Sequence, residues 1–241
     1  MKRTGLILVC ISLLALLLAV PAAAQNDEEE EATFEETQGR GYFSFGVHFL
    51  DIDDLNDRLS NQGYTEFPTY FYTIGGGGHG ILENGIVVGG EGHAIMERDE
   101  TTGTFETSLG GGYGFFNLGY AVYQQNNLSV YPMLGIGGGS VSMKITDSEA
   151  PLFDDVLADP KRSAELSTGG FLFDIAVGLD YLFTVGTTQE EGGFMFGFKA
   201  GYTFSPSDND WKMNGNEING GPDFGITGPY IRLMVGGGGR N

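Results

Sequence analysis

The sequence predicts an all-β fold, namely an eight-stranded antiparallel up-and-down transmembrane barrel. The first observation is the rhythm of the chain after residue 40, where glycine- and aromatic-rich runs are joined by alternating long and short connections. The long connections are predicted at Asp51–Thr69, Met96–Phe105, Ile145–Thr168 and Pro206–Gly228, and the short ones at Glu83–Gly85, Gln124–Asn127 and Gly186–Glu191. Membrane barrels with short turns at one mouth and longer loops at the other have this organisation.

The second observation is a period-two alternation with an unusual division of residue types. Odd positions from Phe171 to Phe183 are apolar, whereas Asp174 and Asp180 share the opposite face. Even positions from Phe194 to Phe204 are apolar, and Lys199 lies opposite them. The first and last runs repeat the pattern with Phe43, Phe45, Val47 and Phe49, and with Ile231, Leu233 and Val235. Aromatic faces suit lipid, and a face of charges and glycine suits a narrow polar lumen.

The third observation is an even number of strands, which places both chain ends on the same side of the membrane. Eight strands are predicted at Gly41–Leu50, Tyr70–Leu82, Ile86–Ile95, Thr107–Tyr123, Leu128–Lys144, Gly170–Val185, Gly192–Ser205 and Pro229–Gly238. Pro132 predicts a bulge or a local break in pairing, because proline cannot donate to the ladder. Glycine runs hide the register of the fourth and fifth strands. Residues Asp54–Leu59 predict a short helix capped by Gly63.

The N-terminal region has the order of a secretory signal: Lys2 and Arg3, an apolar run over residues 6–20, and Ala22–Ala24. We therefore expect residues 1–24 to be a signal peptide cleaved near Ala24, 25–40 to be an acidic disordered segment, and 41–241 to be an outer-membrane barrel domain. The single cysteine, Cys10, falls in the signal. The mature chain would then have no disulfide and no thiolate site.

The charge of the chain is strongly acidic, with 32 acidic residues against 12 basic ones. Because no basic patch is available to neutralise phosphates, nucleic-acid binding is disfavoured. The acidic residues concentrate in the segment Asp27–Glu36 and in the long connections. Two interpretations stay open for the loops: solvated, mutually repelling surfaces, or carboxylates that bind divalent cations and bridge to lipopolysaccharide.

With these features the region of about residues 41–239 resembles the small eight-stranded outer-membrane barrels, such as the OmpA transmembrane domain and the OmpX-like proteins. The resemblance implies the outer membrane of a diderm bacterium, contact with outer-membrane lipid, assembly by the outer-membrane insertion machinery, and no dedicated cofactor. The chain departs from this group at its end, because Gly236–Gly239 and Arg240-Asn241 stand where such barrels carry a terminal aromatic residue.

Polar residues on the faces assigned to the lumen form the candidate site. The predicted network consists of His48, His79, Glu91, His93, Asp174, Asp180, Lys199 and Arg232. In the structural interpretation these groups pair with one another, as buried charges must. In the chemical interpretation histidines and carboxylates form a metal or acid–base site. We favour the structural interpretation, so no catalytic, cofactor or metal residues are assigned. The glycine runs do not predict a nucleotide site, because no helix pattern follows them as a phosphate loop requires.

The leading functional hypothesis is a structural or surface-interaction barrel that acts through acidic extracellular loops. An open pore is not expected, since side chains can fill an eight-stranded interior. One alternative is a lipid-modifying outer-membrane enzyme with His48 or His93 as base, beside a serine such as Ser44 or Ser140. Others are a soluble calycin-type ligand carrier and a self-associating surface protein. Trp211, the sole tryptophan, is expected to pack at the membrane interface.

Overall fold

The fold was analysed in a computed structural model, which describes residues 37–125, 127–147, 152–158, 163–184, 191–206, 210–213 and 215–240. The predicted signal peptide, the acidic segment up to residue 36 and most of the short connection Gly186–Glu191 lie outside the described residues. In the described part of the chain, no helix is long and apolar enough to span a membrane.

The described chain consists of eleven strands and two short helices. The strands are β1 (Gln38–Phe49), β2 (Tyr70–Ile81), β3 (Ile86–Thr102), β4 (Phe105–Tyr120), β5 (Tyr123–Gln125), β6 (Leu128–Asp147), β7 (Ser163–Thr184), β8 (Glu191–Phe204), β9 (Trp211–Met213), β10 (Asn216–Ile218) and β11 (Gly228–Arg240). The helices are α1 (Asp53–Asn61) and α2 (Phe153–Ala158).

Eight long strands close into a barrel in which every neighbouring pair is antiparallel. Strand β1 pairs with β2 on one side and with β11 on the other, and the order continues through β3, β4, β6, β7 and β8. The predicted fold class is therefore confirmed. We call the end where β1 begins and β11 ends the inner end, and the end with the long loops the outer end.

Both ends of the chain's barrel region extend further than the sequence predicted. Strand β1 begins at Gln38, so the expectation that disorder continues to residue 40 is wrong. Gln38 and Arg40 are buried, and Arg40 pairs with His79 on one side and Gly238 on the other. Strand β11 likewise continues to Arg240, because its glycines pair with both β1 and β8.

The predicted long connection at Met96–Phe105 is wrong. Strands β3 and β4 continue to Thr102 and Phe105, and a two-residue turn joins them, with Gly103 at φ 59. The pairing register shifts between Ile95 and Arg98, where β3 carries one residue more than β4. Such a bulge interrupts the apolar alternation without ending the strand, which is why the sequence pattern stopped at Ile95.

Two local predictions are confirmed. Pro132 lies where β6 changes partners: its pairing with β4 ends at Met133 and its pairing with β5 begins at Val130. Helix α1 ends at Asn61, and Gly63, with φ 81, caps it as expected. The amide of Gly63 donates to Ser60 O and the amide of Tyr64 donates to Leu59 O, the hydrogen-bond pair of a Schellman cap.

Glycines make room for the large side chains of the narrow interior. Gly46 lies opposite Arg232, and a Cβ there would be 2.6 Å from Arg232 Cγ. Gly201 lies opposite Tyr230 in the same way, with 2.7 Å to the Tyr230 hydroxyl oxygen. A Cβ at Gly178 would run into the ring of Tyr131. These strand glycines therefore serve the close packing of the lumen.

The two faces of the sheet have the predicted orientation. Phe45 and Phe196 are 53% and 49% exposed on the outside, whereas Asp174 and Lys199 are 1% and 2% exposed inside. Because a calycin-type carrier needs an apolar interior and a polar exterior, this orientation excludes that alternative. The remaining large apolar side chains of the barrel exterior include Phe43, Phe171, Phe173, Ile175, Tyr181, Phe183, Phe194, Phe198, Ile231 and Leu233.

Candidate functional site

The centre of the barrel is organised around the carboxylate of Glu91, which projects inward from β3. The Lys199 ammonium donates to Glu91 Oε1 at 2.7 Å, and the Arg232 guanidinium donates to the same oxygen at 3.2 Å. On the other oxygen, Oε2, Tyr42 donates at 3.2 Å and His93 Nε2 lies 3.4 Å away. Four strands thus contribute groups to one buried carboxylate, which ties opposite walls of the barrel together.

A second carboxylate, Asp174 of β7, lies beside this cluster. The Tyr230 hydroxyl donates to its Oδ2 at 2.7 Å and the Thr203 hydroxyl donates to its Oδ1 at 3.1 Å. The Lys199 ammonium is 4.0 Å from Oδ2. Lys199 therefore lies between two carboxylates, which compensates much of the cost of burying its charge.

Arg232 links the central cluster to the outer part of the lumen. Its guanidinium donates to the Tyr113 hydroxyl at 2.8 Å and lies 3.7 Å from the centre of the Tyr230 ring. The Tyr113 hydroxyl in turn is 3.2 Å from His48 Nδ1, and His48 Nε2 is 3.2 Å from Gly228 O. His48 is thus held by hydrogen bonds on both ring nitrogens and is fully buried.

A separate cluster lies towards the inner end. Asp180 Oδ2 is 3.1 Å from His79 Nε2, and Oδ1 is 3.4 Å from Arg40 Nε. Arg40 also donates to Gln38 Oε1 at 2.6 Å. The structure therefore does not bring the eight predicted residues together at one point: it places His79 and Asp180 here and the other six in the central and outer part.

The interior is balanced in charge once Arg40 is included. Its acidic residues are Glu91, Asp174 and Asp180, and its basic residues are Arg40, Lys199 and Arg232; all six are buried. Sequence reasoning missed Arg40 because it started the first strand at Gly41, whereas β1 begins at Gln38. The signal was present, since Arg40 has the even-numbered position of Tyr42, Ser44 and His48 on the lumen face of β1.

Ser44, His93 and Glu91 form a hydrogen-bonded line within the central cluster. Ser44 Oγ is 3.3 Å from His93 Nδ1, and His93 Nε2 is 3.4 Å from Glu91 Oε2. This is the order of groups in a serine hydrolase triad. However, Ser44 is only 1% exposed, and Glu91 is also engaged by two cations. Among the described residues, no group of three or more histidine, cysteine or acidic side chains is arranged to hold a metal.

The outer mouth is covered by a folded cap that the sequence did not predict. We define the outer cap as residues 50–69 together with the described part of 205–227. Its apolar side chains pack onto inward-facing residues from the upper strands in one buried cluster. The cap contributes Leu50, Ile52, Leu55, Leu59, Phe67, Trp211, Phe224 and Ile226, and the strands contribute Phe71, Ile95, Leu109, Tyr113, Phe115, Val141, Met143 and Leu172.

Trp211 belongs to this cap, so the expectation that it packs at the membrane interface is wrong. It is 3% exposed, its ring stacks on Phe224 at 6.1 Å, and its Nε1 donates to Pro222 O at 2.8 Å. The segment 50–69 is fixed by Asn56, whose side-chain amide exchanges two hydrogen bonds with the backbone of Phe67. The cap is therefore a built structure with its own hydrogen bonds.

The surface that the outer loops present to solvent is acidic. Its exposed carboxylates are Asp51, Asp53, Asp54, Asp57, Glu66, Glu97, Asp99, Glu106, Asp154, Glu165, Asp210, Glu217 and Asp223. Arg58, Lys144 and Lys212 are the exposed basic residues of the described outer loops and strand extensions. A field of this sign favours cationic groups and repels anionic ones.

An apolar exterior, a closed antiparallel sheet and a charge-paired interior together define a membrane-spanning β-barrel of the small, filled type. A family model described as the outer membrane protein beta-barrel domain matches residues 11–221. The chain belongs to this family, and it is a protein of the outer membrane.

Solved structures with a similar chain course include three outer-membrane proteins. One is Ail, the attachment invasion locus protein of Yersinia pestis, in complex with the heparin analogue sucrose octasulfate. It is 12% identical in sequence, the match covers 86% of this chain and 98% of that chain, and the TM-score is 0.41. A major outer membrane protein from Thermus thermophilus has 11% identity, coverages of 84% and 99%, and a TM-score of 0.41. The Escherichia coli protease OmpT has 10% identity, coverages of 86% and 97%, and a TM-score of 0.32. No curated protein matches the chain.

Proposed function

We propose that the protein is a non-conducting outer-membrane barrel that acts outside the cell, through contacts made by its acidic outer cap. The observation that carries this proposal is the filling of the lumen. Balanced buried charges occupy its centre, and apolar clusters lie at both ends: the cap above, and Leu182, Met195 and Met234 below. Because buried charged and apolar side chains fill the described lumen, we expect no water-filled path through it, and the exposed loops are then the part available for function.

Electrical recording tests the closed barrel. The full mature chain, refolded and inserted into planar lipid bilayers, should give no stable conductance steps, while an open porin treated identically provides the positive control. The physical reason is that ion passage would require both apolar clusters and the Glu91 ion pairs to separate together. Large, long-lived steps from the folded protein would refute the proposal.

Protease treatment of intact cells tests the orientation of the barrel. Cleavage is expected in the outer loops, within the predicted long connections Ile145–Thr168 and Pro206–Gly228, and not in the short connection 82–85 at the inner end. Cuts confined to the inner connection would mean that the cap faces the periplasm, and the proposed role at the cell surface would then be wrong.

We further propose that the cap contacts lipopolysaccharide through divalent cations held by its carboxylates, since hard oxygen ligands suit such ions. Chelation of divalent cations should then weaken the association of lipopolysaccharide with the purified barrel. Unchanged association after chelation would contradict this part of the proposal.

A lipid-modifying enzyme remains a second candidate because of the Ser44–His93–Glu91 line. We propose that this line is structural, on the ground that Ser44 is buried beneath the outer cap. A fluorophosphonate probe should not label the folded protein. If the probe does label the protein, Ser44→Ala should abolish the labelling if Ser44 is the nucleophile. Ser140→Ala, at an exposed position outside the lumen, is the control and should leave it unchanged. Labelling that depends on Ser44 alone would establish the enzymatic alternative.

A further inference from the structure

A cavity of about 400 Å³ opens on the outer cap beside the sole tryptophan. Its lining includes Asp210, Trp211, Asn219, Gly221 and Asp223. The volume lies within the range of small-ligand sites, which starts at roughly 300 Å³. None of the described residues that line the cavity is basic, so its chemistry is that of two carboxylates above a partly apolar floor.

The two aspartates of the lining each stand next to a buried aromatic residue. Asp210 immediately precedes Trp211, and Asp223 immediately precedes Phe224. The two rings are buried and stack on each other at 6.1 Å. Both aspartates line the cavity beside these stacked rings, although thirteen positions separate them in the chain.

The walls of the cavity are rigid. The Trp211 indole is fixed by its hydrogen bond to Pro222 O, and Gly221 lies so close to the ring that a Cβ would clash with it. Lys212 stands opposite Glu217 in the register of the β9–β10 hairpin, and it is not among the described residues that line the cavity. A cavity with a fixed wall binds a ligand with less loss of conformational freedom than a flexible surface would.

We infer that this cavity binds an ammonium or guanidinium group. The inference rests on the proposed function, since it names the class of partner for the outer cap. The cation would donate N–H hydrogen bonds to Asp210 and Asp223, and charge-assisted bonds of this kind are the stronger ones in proteins. The surrounding acidic surface would steer such a partner to the cavity. A basic polypeptide and a small polyamine share this chemistry.

The experiment uses the full mature chain refolded in a neutral detergent, with a tri-arginine peptide and spermidine as separate probes. Trp211 is the sole tryptophan and part of the lining, so its emission reports binding directly, and calorimetry gives the Kd. Asp210→Asn/Asp223→Asn removes the rim charges. Asp57→Asn/Glu66→Gln removes the same charge from exposed cap positions outside the cavity.

At physiological salt, the rim variant should weaken binding by about tenfold or more, and the control variant by about twofold or less, because only the rim residues make direct hydrogen bonds. Binding of the peptide alone identifies a polypeptide side chain as the source of the cation, and binding of spermidine alone identifies a polyamine; either supports the cavity. Equal weakening in both variants, or no binding by the wild type, overturns the inference. The conductance and protease results would be unaffected, so failure here is distinguishable from failure of the proposed function.

Discussion

Replacement of Glu91 by glutamine should destabilise the barrel strongly, because it removes the charge that compensates two buried cations. At the observed 2.7 Å from Lys199, an effective dielectric constant of about 20 gives a gross attraction of about 6 kcal/mol. Most of this is offset by desolvation, so the measurable loss is that of breaking a buried pair, about 3–5 kcal/mol. Glutamine keeps the shape and one acceptor oxygen; it removes the negative charge and replaces the other acceptor by an amide that donates.

Urea unfolding in lipid vesicles, followed by Trp211 fluorescence and by the gel mobility of the folded barrel, measures this loss. The double variant Glu91→Gln/Lys199→Met restores the charge balance of the interior and should be more stable than Glu91→Gln alone. As a surface control, Glu100→Gln breaks the partly exposed pair with Arg98 at 3.6 Å and should change stability by about 1 kcal/mol or less. If Glu91→Gln costs less than about 1 kcal/mol, or the double variant is no more stable than the single one, charge pairing does not hold the interior together.

Two further predictions concern the packing of the lumen and of the cap. Gly178→Ala should lower the free energy of unfolding by about 1–3 kcal/mol, because the new Cβ meets the Tyr131 ring. Gly41→Ala, which has open space around it, should be neutral or slightly stabilising in the same unfolding assay. Equal effects of the two variants would mean that the space beside Tyr131 is not needed. Leu59→Ala should lower the free energy of unfolding by about 2–5 kcal/mol, because it opens a void in the outer cap. Leu157, on α2, is 68% exposed, so Leu157→Ala should have little effect. A Leu59→Ala variant as stable as the wild type would contradict a packed cap.

The sidedness of the barrel could be predicted because it depends only on the parity of positions along a strand. Lys199 stands among even-numbered aromatic residues, and Asp174 among odd-numbered ones, so each falls on the face opposite lipid. Parity does not depend on which strands are neighbours. It failed only where a boundary was misplaced, as at Arg40, or where a bulge shifted the alternation, as after Ile95.

The contacts inside the lumen could not be predicted in the same way, because they depend on the register between strands. The line from Ser44 to His93 requires that both stand opposite Gly75 of β2, and glycine runs give no periodic signal for register. The cap was missed for a related reason. Ile52, Leu55, Phe67, Trp211 and Phe224 look like isolated apolar residues in acidic loops, and only the closure of the barrel brings their two segments together.

The distribution of charge shows why function is best sought in the cap. Among the described residues inside the barrel, three acidic and three basic side chains are buried, and a ligand would have to displace a compensated ion pair from a site without solvent access. On the cap, carboxylates are exposed and far outnumber basic side chains, so a cation can approach them without disrupting an existing pair. The proposed binding at the cell surface follows from this contrast, and the two aspartates that line the cavity beside the Trp211–Phe224 stack are where we expect a cation to bind.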